Sequence, residues 1–458
     1  MSTSTPWTVV IDDDPTGSQV VHDIEAVFGT DPDSVRAGML AGGGVCFVLT
    51  NSRSLPEAEA VAATEAVAET VLAQAPAGRA RLVSRGDSTL RGHVFAEVEA
   101  LQRVRERMSG RRHDAVLFVP AFPQAGRTTV GGIHRASVDG VDVPVSETEF
   151  ARDATFGYRS SRMTEFVEEV SGGRISAADV LHLDLDDVRQ GPLRVAELIG
   201  AAAGRWVTAD ALEPSDLEAI ADGARIVEDS GATIVYRVGP GIVPSVLGID
   251  GVHAVEPAEL TRPTGPIVQG LVVVGSHTAL TSRQVALARS VHDLQVLELD
   301  VPAYVRDVDD RDALLRDLTD RLATALRTGP TMLITSRERM DADTPEASLA
   351  LARLISSAVS SLVAGVLQVV TPGWVVLKGG ITSHDVALHG LGASRARVLG
   401  QVFPGQIGVF RAETGPLEGG SFVVFPGNVG TDAALVDTIT LLQASHAGAP
   451  HPIERTLA

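Results

Sequence analysis

The chain has 458 residues, a formal net charge of −20 and a single cysteine. That length allows two or three domains with ample core. The acidic balance excludes nucleic-acid binding through a basic surface, and one cysteine excludes an intrachain disulfide and fits a reducing compartment. The start, MSTSTPWTVV, has no basic region and no long apolar run, so no signal peptide is expected, and no apolar run reads as long enough to span a bilayer. A cytoplasmic protein without a membrane partner is expected.

The first expected strand, WTVVID (7–12), runs into Asp12, Asp13 and Asp14, followed by the turn Pro15-Thr16-Gly17. Adjacent carboxylates repel one another and lose solvation when buried. One Asp would serve as a helix cap or turn residue; three exceed that role. At the carboxyl end of a first strand they suit a general base or a metal ligand. Further strands are expected at 44–51, 80–87, 115–121, 180–185, 205–211 and 232–238. Ala-rich helical stretches such as 56–75 lie between them. The alternation predicts an α/β fold with a mostly parallel sheet. Cys46, in the run VCFVLT, reads as a buried, inert thiol. Residues 121–153 show little helix or strand pattern and read as a long functional loop carrying Arg127, Thr128, Thr129, His134 and Arg135.

A Pro-rich break at 254–266 places a boundary near 260, giving domains 1–260 and 261–458. Strands are expected beyond it at 267–276, 295–301, 331–336, 373–380, 408–413 and 421–427, with a loosely ordered tail after about 443. In the first domain the polar segments 12–19, 50–55, 84–93 and 120–129 each follow a strand and should meet in space. They offer Asp13, Asp14, Arg53, Arg85, Asp87, Ser88, Arg91 and Arg127, a set suited to a small polar acid such as a sugar acid. A helix cap would account for Asp87 or Ser88 alone, but not for arginines on both sides. The second domain offers Gly, Ser and Thr loops at 274–284, 335–339, 377–385, 403–408 and 425–434, the kind that cradle phosphates. Neither a P-loop nor a GxGxxG turn is present, and no GxSxG elbow. His384 and His389, five apart, do not share a helix face and make no metal pair. Lys378 is the only lysine, and Asn51 and Asn428 are the only asparagines; all three stand beside Gly- or Ser-rich turns.

On these residues the chain resembles the four-carbon acid sugar kinase family, over nearly its whole length. Asp13-Asp14-Pro15-Thr16-Gly17 matches a DDxTG motif, Asp87 through Gly92 matches DSTLRG, and Pro120 through Thr129 matches a PAFPxxGRTT-like motif. In the second half Gly275, Ser276 and Thr281 match GSxxxxT, Gly379 through Ser383 match GGxTS, and Gly427 through Gly430 match a GNxG-like end. The resemblance implies two α/β domains with mostly parallel sheets and an active site in the cleft between them. It implies a kinase that uses ATP to phosphorylate a terminal hydroxyl of a short, four-carbon or similar, sugar acid or 3-oxo sugar acid. Asp13 or Asp14 would take or orient the hydroxyl proton. Arg53, Asp87, Ser88, Arg91 and Arg127 would bind the substrate. Ser276, Lys378, Gly379, Gly380, Thr382, Ser383, Gly427, Asn428 and Gly430 would surround ATP. Mg2+ would bridge the phosphates with few protein ligands, none of them assigned. A homodimer is left open. Asp12 stands where many members have Ala, and Pro15 and Ser18-Gln19 replace the more usual Leu and Ala; these departures bear on substrate identity. Two other readings stay open: a metal-dependent sugar-acid aldolase or isomerase with structural glycine loops, and a non-catalytic sensor of two metabolites.

Overall fold

The computed structural model describes residues 6–14, 16–76, 79–138, 140–249, 252–263, 267–337, 340, 344–403 and 406–447. The chain forms two compact α/β units. One takes residues 1–20 and 29–251, the other 21–28 and 252–458.

The first unit is built on seven parallel strands in the spatial order Val45–Leu49, Trp7–Asp12, Ala80–Arg85, Ile234–Val238, Ala115–Val119, Trp206–Ala209 and Leu181–Leu183. Most are buried along nearly their whole length, as expected when helices cover both faces of a parallel sheet. From Trp7–Asp12 the chain first crosses to the neighbour on one side and then returns on the other side as Ala80–Arg85. The connections therefore diverge between these two strands, and a crevice is expected at their carboxyl ends.

Residues 121–153 depart from the expected loop. Arg127–Val130, Ile133–Val138 and Val141–Pro144 form a three-stranded antiparallel sheet.

The second unit has the parallel strands Gln295–Leu299, Thr331–Thr335, Leu271–Val274, Val375–Lys378 and Ser421–Phe425 in that spatial order. Antiparallel strands Gly408–Ala412, Arg395–Gln401 and Ile24–Val27 continue it. The N-terminal segment thus supplies the second unit's edge pairing through Ile24–Val27. Helix Pro345–Leu367 packs on this unit, burying Ala358, Val359, Leu362, Val363 and Val366. Its window Ala350–Leu367, of mean hydropathy 1.7, has the length and composition of a membrane span, contrary to the expectation that no run was long enough; 44% of that window is buried within the protein.

Candidate active site

The three aspartates leave the first strand in different directions. Asp12 continues the strand inward and is fully buried. Its Oδ1 accepts hydrogen bonds from Arg85 Nη1 at 2.8 Å and from the Asp14 amide at 3.0 Å, while its Oδ2 has no hydrogen-bond partner. Burial pushes its carboxyl up to about 7, against the opposing pull of Arg85. Asp13, also buried, lies between two guanidinium groups: Arg53 Nε is 3.3 Å from Oδ1, and Arg237 Nη2 is 3.3 Å from Oδ2. Asp14 is the most accessible of the three, with 22% of its side chain exposed. One of its oxygens accepts the Thr16 amide at 2.7 Å and the Thr16 hydroxyl at 2.6 Å, and the other accepts Arg53 Nη2.

Gly17, the glycine of the DDxTG match, is required by close approach. A Cβ there would stand 2.0 Å from Asp12 Oδ2 and 2.4 Å from Arg85 Nη1. Both atoms belong to a buried ion pair that has no room to retreat. Gly17→Ala is therefore expected to cost about 1–3 kcal/mol of stability, as overpacking does. Denaturant melts that coincide with those of the parent would show that the loop yields freely. Pro15 of the same motif lies outside the described residues.

The DSTLRG loop follows the neighbouring strand. Asp87 accepts the Thr89 amide at 3.1 Å, the Thr89 hydroxyl at 2.5 Å and Arg91 Nε at 2.7 Å, and Arg53 Nη1 lies 3.5 Å away. Burial alone would raise this carboxyl, but Arg53, Arg91 and Thr89 hold it well below the usual carboxylate range. Arg53 thus ties Asp13, Asp14 and Asp87 together. The Ser88 carbonyl is 2.8 Å from His134 Nε2, and His134 Nδ1 is 2.9 Å from Thr129 Oγ1. A carbonyl can only accept, so Nε2 carries the proton and the Thr129 hydroxyl donates to Nδ1. Burial, the largest influence on His134, lowers its pKa to about 4 and keeps the ring neutral. The hairpin sheet is thereby pinned to the DSTLRG loop.

The arginines read as substrate ligands are not equivalent. Arg91 is engaged by Asp87, stands 3.8 Å from Asp153 and lies over the Phe150 ring at 5.0 Å. Arg127, at the start of the hairpin, donates from Nη1 to the Ala125 carbonyl. Its buried Nε has no hydrogen-bond partner, and among the described residues it makes no ion pair. Burial lowers its pKa, with Asp87 opposing and Arg91 adding to the effect. Of the cations converging here, Arg127 is the one whose charge is unmatched.

Two residues of this cluster carried no motif signal. Arg237, in the strand Ile234–Val238, is 2% exposed, and Glu97, on the helix Val94–Ser109, is 3% exposed. Arg237 Nη1 donates to Ser84 Oγ at 2.8 Å and to Glu97 Oε2 at 2.6 Å, and the Ser52 hydroxyl donates to Glu97 Oε1 at 2.5 Å. Burial raises the Glu97 carboxyl, with Arg237 opposing.

In the second unit three polar loops converge at strand ends. Thr278 caps the helix Ala279–Val291 through the Thr281 amide at 3.1 Å. The hydroxyls of Thr278 and Thr281 donate to the Gly427 carbonyl at 2.6 and 2.8 Å, and Ser276 Oγ lies 2.9 Å from Thr281 Oγ1, which can accept its proton. A Cβ on Gly427 would stand 2.4 Å from Ser276 Oγ, and one on Gly275 would stand 2.2 Å from Thr382 Oγ1. The segments around Ser276, Thr382 and Gly427 are thus in contact. Gly379, with φ of 129°, precedes the short helix Gly380–Asp385, and Gly380 faces open space. Asn428 and Gly430 continue the Gly427 turn, and Gln284 Nε2 bonds the Val429 and Thr431 carbonyls on either side of Gly430. Two residues expected here point inward. Ser383 is buried with its hydroxyl on the Leu377 carbonyl at 2.9 Å. Lys378 is buried with Nζ on the Pro426 carbonyl at 3.0 Å and 3.6 Å above the Phe425 ring, and burial pushes it down to about 7.

Residues 8–246 match the family model described as a sugar-binding N-terminal domain, and residues 271–435 match that of a nucleotide-binding C-terminal domain. The chain is 28% identical to the D-threonate kinase of Salmonella typhimurium over 415 residues, 88% of this chain and 90% of that one. It is 28% identical to the D-erythronate kinase of Heliobacterium modesticaldum over 436 residues, 90% of each. Among solved structures, a Haemophilus influenzae protein superposes with a TM-score of 0.63 at 19% identity, covering 95% of this chain and 100% of that one, which places the fold. A sugar-binding α/β unit joined to a nucleotide-binding one defines the class, and the chain belongs to the four-carbon acid sugar kinase family.

Proposed function

We propose that this protein is an ATP-dependent kinase that phosphorylates a hydroxyl of a short sugar acid, of four carbons or similar. The observation that carries the reading is the cluster at the carboxyl ends of the strands Trp7–Asp12 and Ala80–Arg85. Asp13, Asp14 and Asp87 are gathered around Arg53, while Arg127 keeps an unmatched charge beside them. A polyol acid has hydroxyls for the first set and a carboxylate for the second. The names of the threonate and erythronate kinases support the same substrate class.

ATP supplies the phosphoryl group when bound. The second unit fits such a ligand by its chemistry: Gly427 lies where a Cβ would collide with Ser276, and Gly380 leaves open space at a helix start. Ser276, Gly379, Gly380, Thr382 and Gly427 would hold its phosphates, with Asn428 and Gly430 beside them. Lys378 and Ser383 would support the loops from within. Among the described residues no group of three or more His, Cys, Asp or Glu is placed to hold a metal. Mg2+ accompanying ATP would supply charge neutralisation at the phosphates.

In the first unit Asp14 is the residue placed to accept the hydroxyl proton, being accessible and oriented by Thr16. Arg53 holds it in place and balances charge at the cluster, positioning being the main requirement of phosphoryl transfer. Arg127→Gln should raise KM for the acid by about one to two decades, corresponding to a lost charge-assisted hydrogen bond of about 1.5–3 kcal/mol. KM for ATP should stay unchanged. An unaltered KM for the acid would remove Arg127 from the site. The reading as a whole is tested by ATP consumption over a panel of four- and five-carbon acids; no turnover with any of them would refute it.

A further inference from the structure

We infer that Arg237 and Glu97 form a buried positioning pair that sets the orientation and charge of Asp13, and through Arg53 the setting of Asp14. The inference rests on the kinase reading and extends it to two residues outside every motif.

Arg237 is built into this place. Its guanidinium runs beneath Gly86, where a Cβ would stand 2.5 Å from Nη2 and 2.6 Å from Cζ. The residue before Asp87 is therefore a glycine because the arginine passes there. One guanidinium then satisfies three groups on three elements: Ser84 on the adjacent strand, Glu97 on the covering helix and Asp13 at the crevice. A buried charge on a strand is costly unless it is paired and fully hydrogen-bonded. Glu97 is satisfied in turn by Ser52, whose neighbour Arg53 grips Asp13 from the other side at 3.3 Å. Asp13 is thus held between Arg237 and Arg53, and Arg53 continues to Asp14 and Asp87. The charged groups facing Asp13 are Asp12 and Asp14 on its own segment, Arg53, Arg85 at 3.9 Å, Arg237, and Glu97 across Arg237. His93 also acts on Glu97.

The arrangement makes a signed prediction. A carboxylate that loses a neighbouring cation holds its proton to higher pH, and one that loses a neighbouring anion releases it at lower pH. In Arg237→Met the acid limb of the kcat profile, which the adjacent Asp13 and Asp14 carboxylates set together, should move up. In Glu97→Gln it should move down, since Gln keeps the packing and frees Arg237 for Asp13. Arg237→Lys should return the limb to its wild-type position and recover only part of kcat, because an ammonium cannot span Ser84, Glu97 and Asp13 together. KM for ATP should not change in any of them. The experiment is a set of kcat and KM profiles against pH for the full chain and these variants, with melting curves at each pH. Opposite shifts for Arg237→Met and Glu97→Gln support the inference. Unmoved limbs, or kcat losses that only track the fall in melting temperature, overturn it. If Arg237→Met does not fold, the comparison of Arg237→Lys with Glu97→Gln decides, because a purely structural pair would leave both limbs in place. If the wild-type chain phosphorylates none of the panel acids, the kinase reading fails separately. The acid-side fall in melting temperature of the folded variants then decides the pair, opposite displacements supporting it and coincident ones overturning it.

Discussion

Asp14→Asn is expected to lower kcat by about 10²–10⁴-fold, the usual contribution of a positioned general base, while KM for the acid changes little. The asparagine Oδ1 can still accept the Thr16 amide and hydroxyl, so the turn keeps its shape. The variant loses the proton acceptor, and the Arg53 contact is lost because Nδ2 and Nη2 are both donors. Asp13→Asn should behave differently. Asp13 is buried between Arg53 and Arg237, so its neutralisation leaves two guanidinium groups short of a partner and should lower both kcat and melting temperature. The contrast separates a residue that reacts from one that holds it. Steady-state kinetics and melting curves on both variants are sufficient. Near-wild-type turnover by Asp14→Asn would exclude it as the base, whatever Asp13 does.

The sequence made the parallel strands and the polar loops behind them legible because each strand is a short apolar run ended by Gly, Ser, Asp or Arg. The clustering of Asp13, Asp14, Arg53 and Asp87 follows from that pattern and the geometry of α/β sheets. The hairpin sheet within 127–144 was harder to see. Its strands carry polar residues on both faces, and only the Gly131-Gly132 pair, a hairpin turn signal, marks it. Strand Ile24–Val27 was missed for another reason: it pairs with Arg395–Gln401, about 370 residues away in the chain, and no local pattern records that partner. Arg237 looked like one charge in the apolar run ATIVYRV, and Glu97 like one acid on a helix. Their meaning lies in a contact across 140 residues. The expectation that apolar runs are broken by Gly, Pro or charge overlooks the helix Pro345–Leu367, whose buried Ser356 and Ser360 helical packing tolerates. Spacing alone placed Arg91 and Arg127 on an equal footing. The i,i+4 contact of Arg91 with Asp87 and the unmatched Arg127 distinguish them only in three dimensions.

Arg85→Met should be the most destabilising single change at the crevice, costing about 3–5 kcal/mol, the range for removing one partner of a buried pair. Arg85 is the cation bonded to Asp12, and both are almost wholly buried. Methionine fills much of the aliphatic volume, so the loss reports charge more than packing. The cost should depend on pH, and its sign is set by Asp12. Burial has raised that carboxyl to about 7, with Arg85 opposing the rise. A raised carboxyl gives stability that is complete below the ordinary carboxylate range and is lost as pH climbs through the folded value. In the parent, stability linked to this proton should therefore decline between about pH 4 and pH 7. Without Arg85 the carboxyl keeps its proton to still higher pH, and the decline should extend well beyond 7. At pH 5 Asp12 is neutral in both proteins and the variant loses mainly a hydrogen bond; at pH 8 the parent has an ion pair, whereas the variant must bury either a lone carboxylate or a proton held against the solvent. Urea unfolding at the two pH values should thus show a clearly larger deficit at pH 8. Equal deficits would mean that the Asp12 proton is not linked to folding, and a deficit below about 1 kcal/mol at both would place the pair with weakly coupled surface ions.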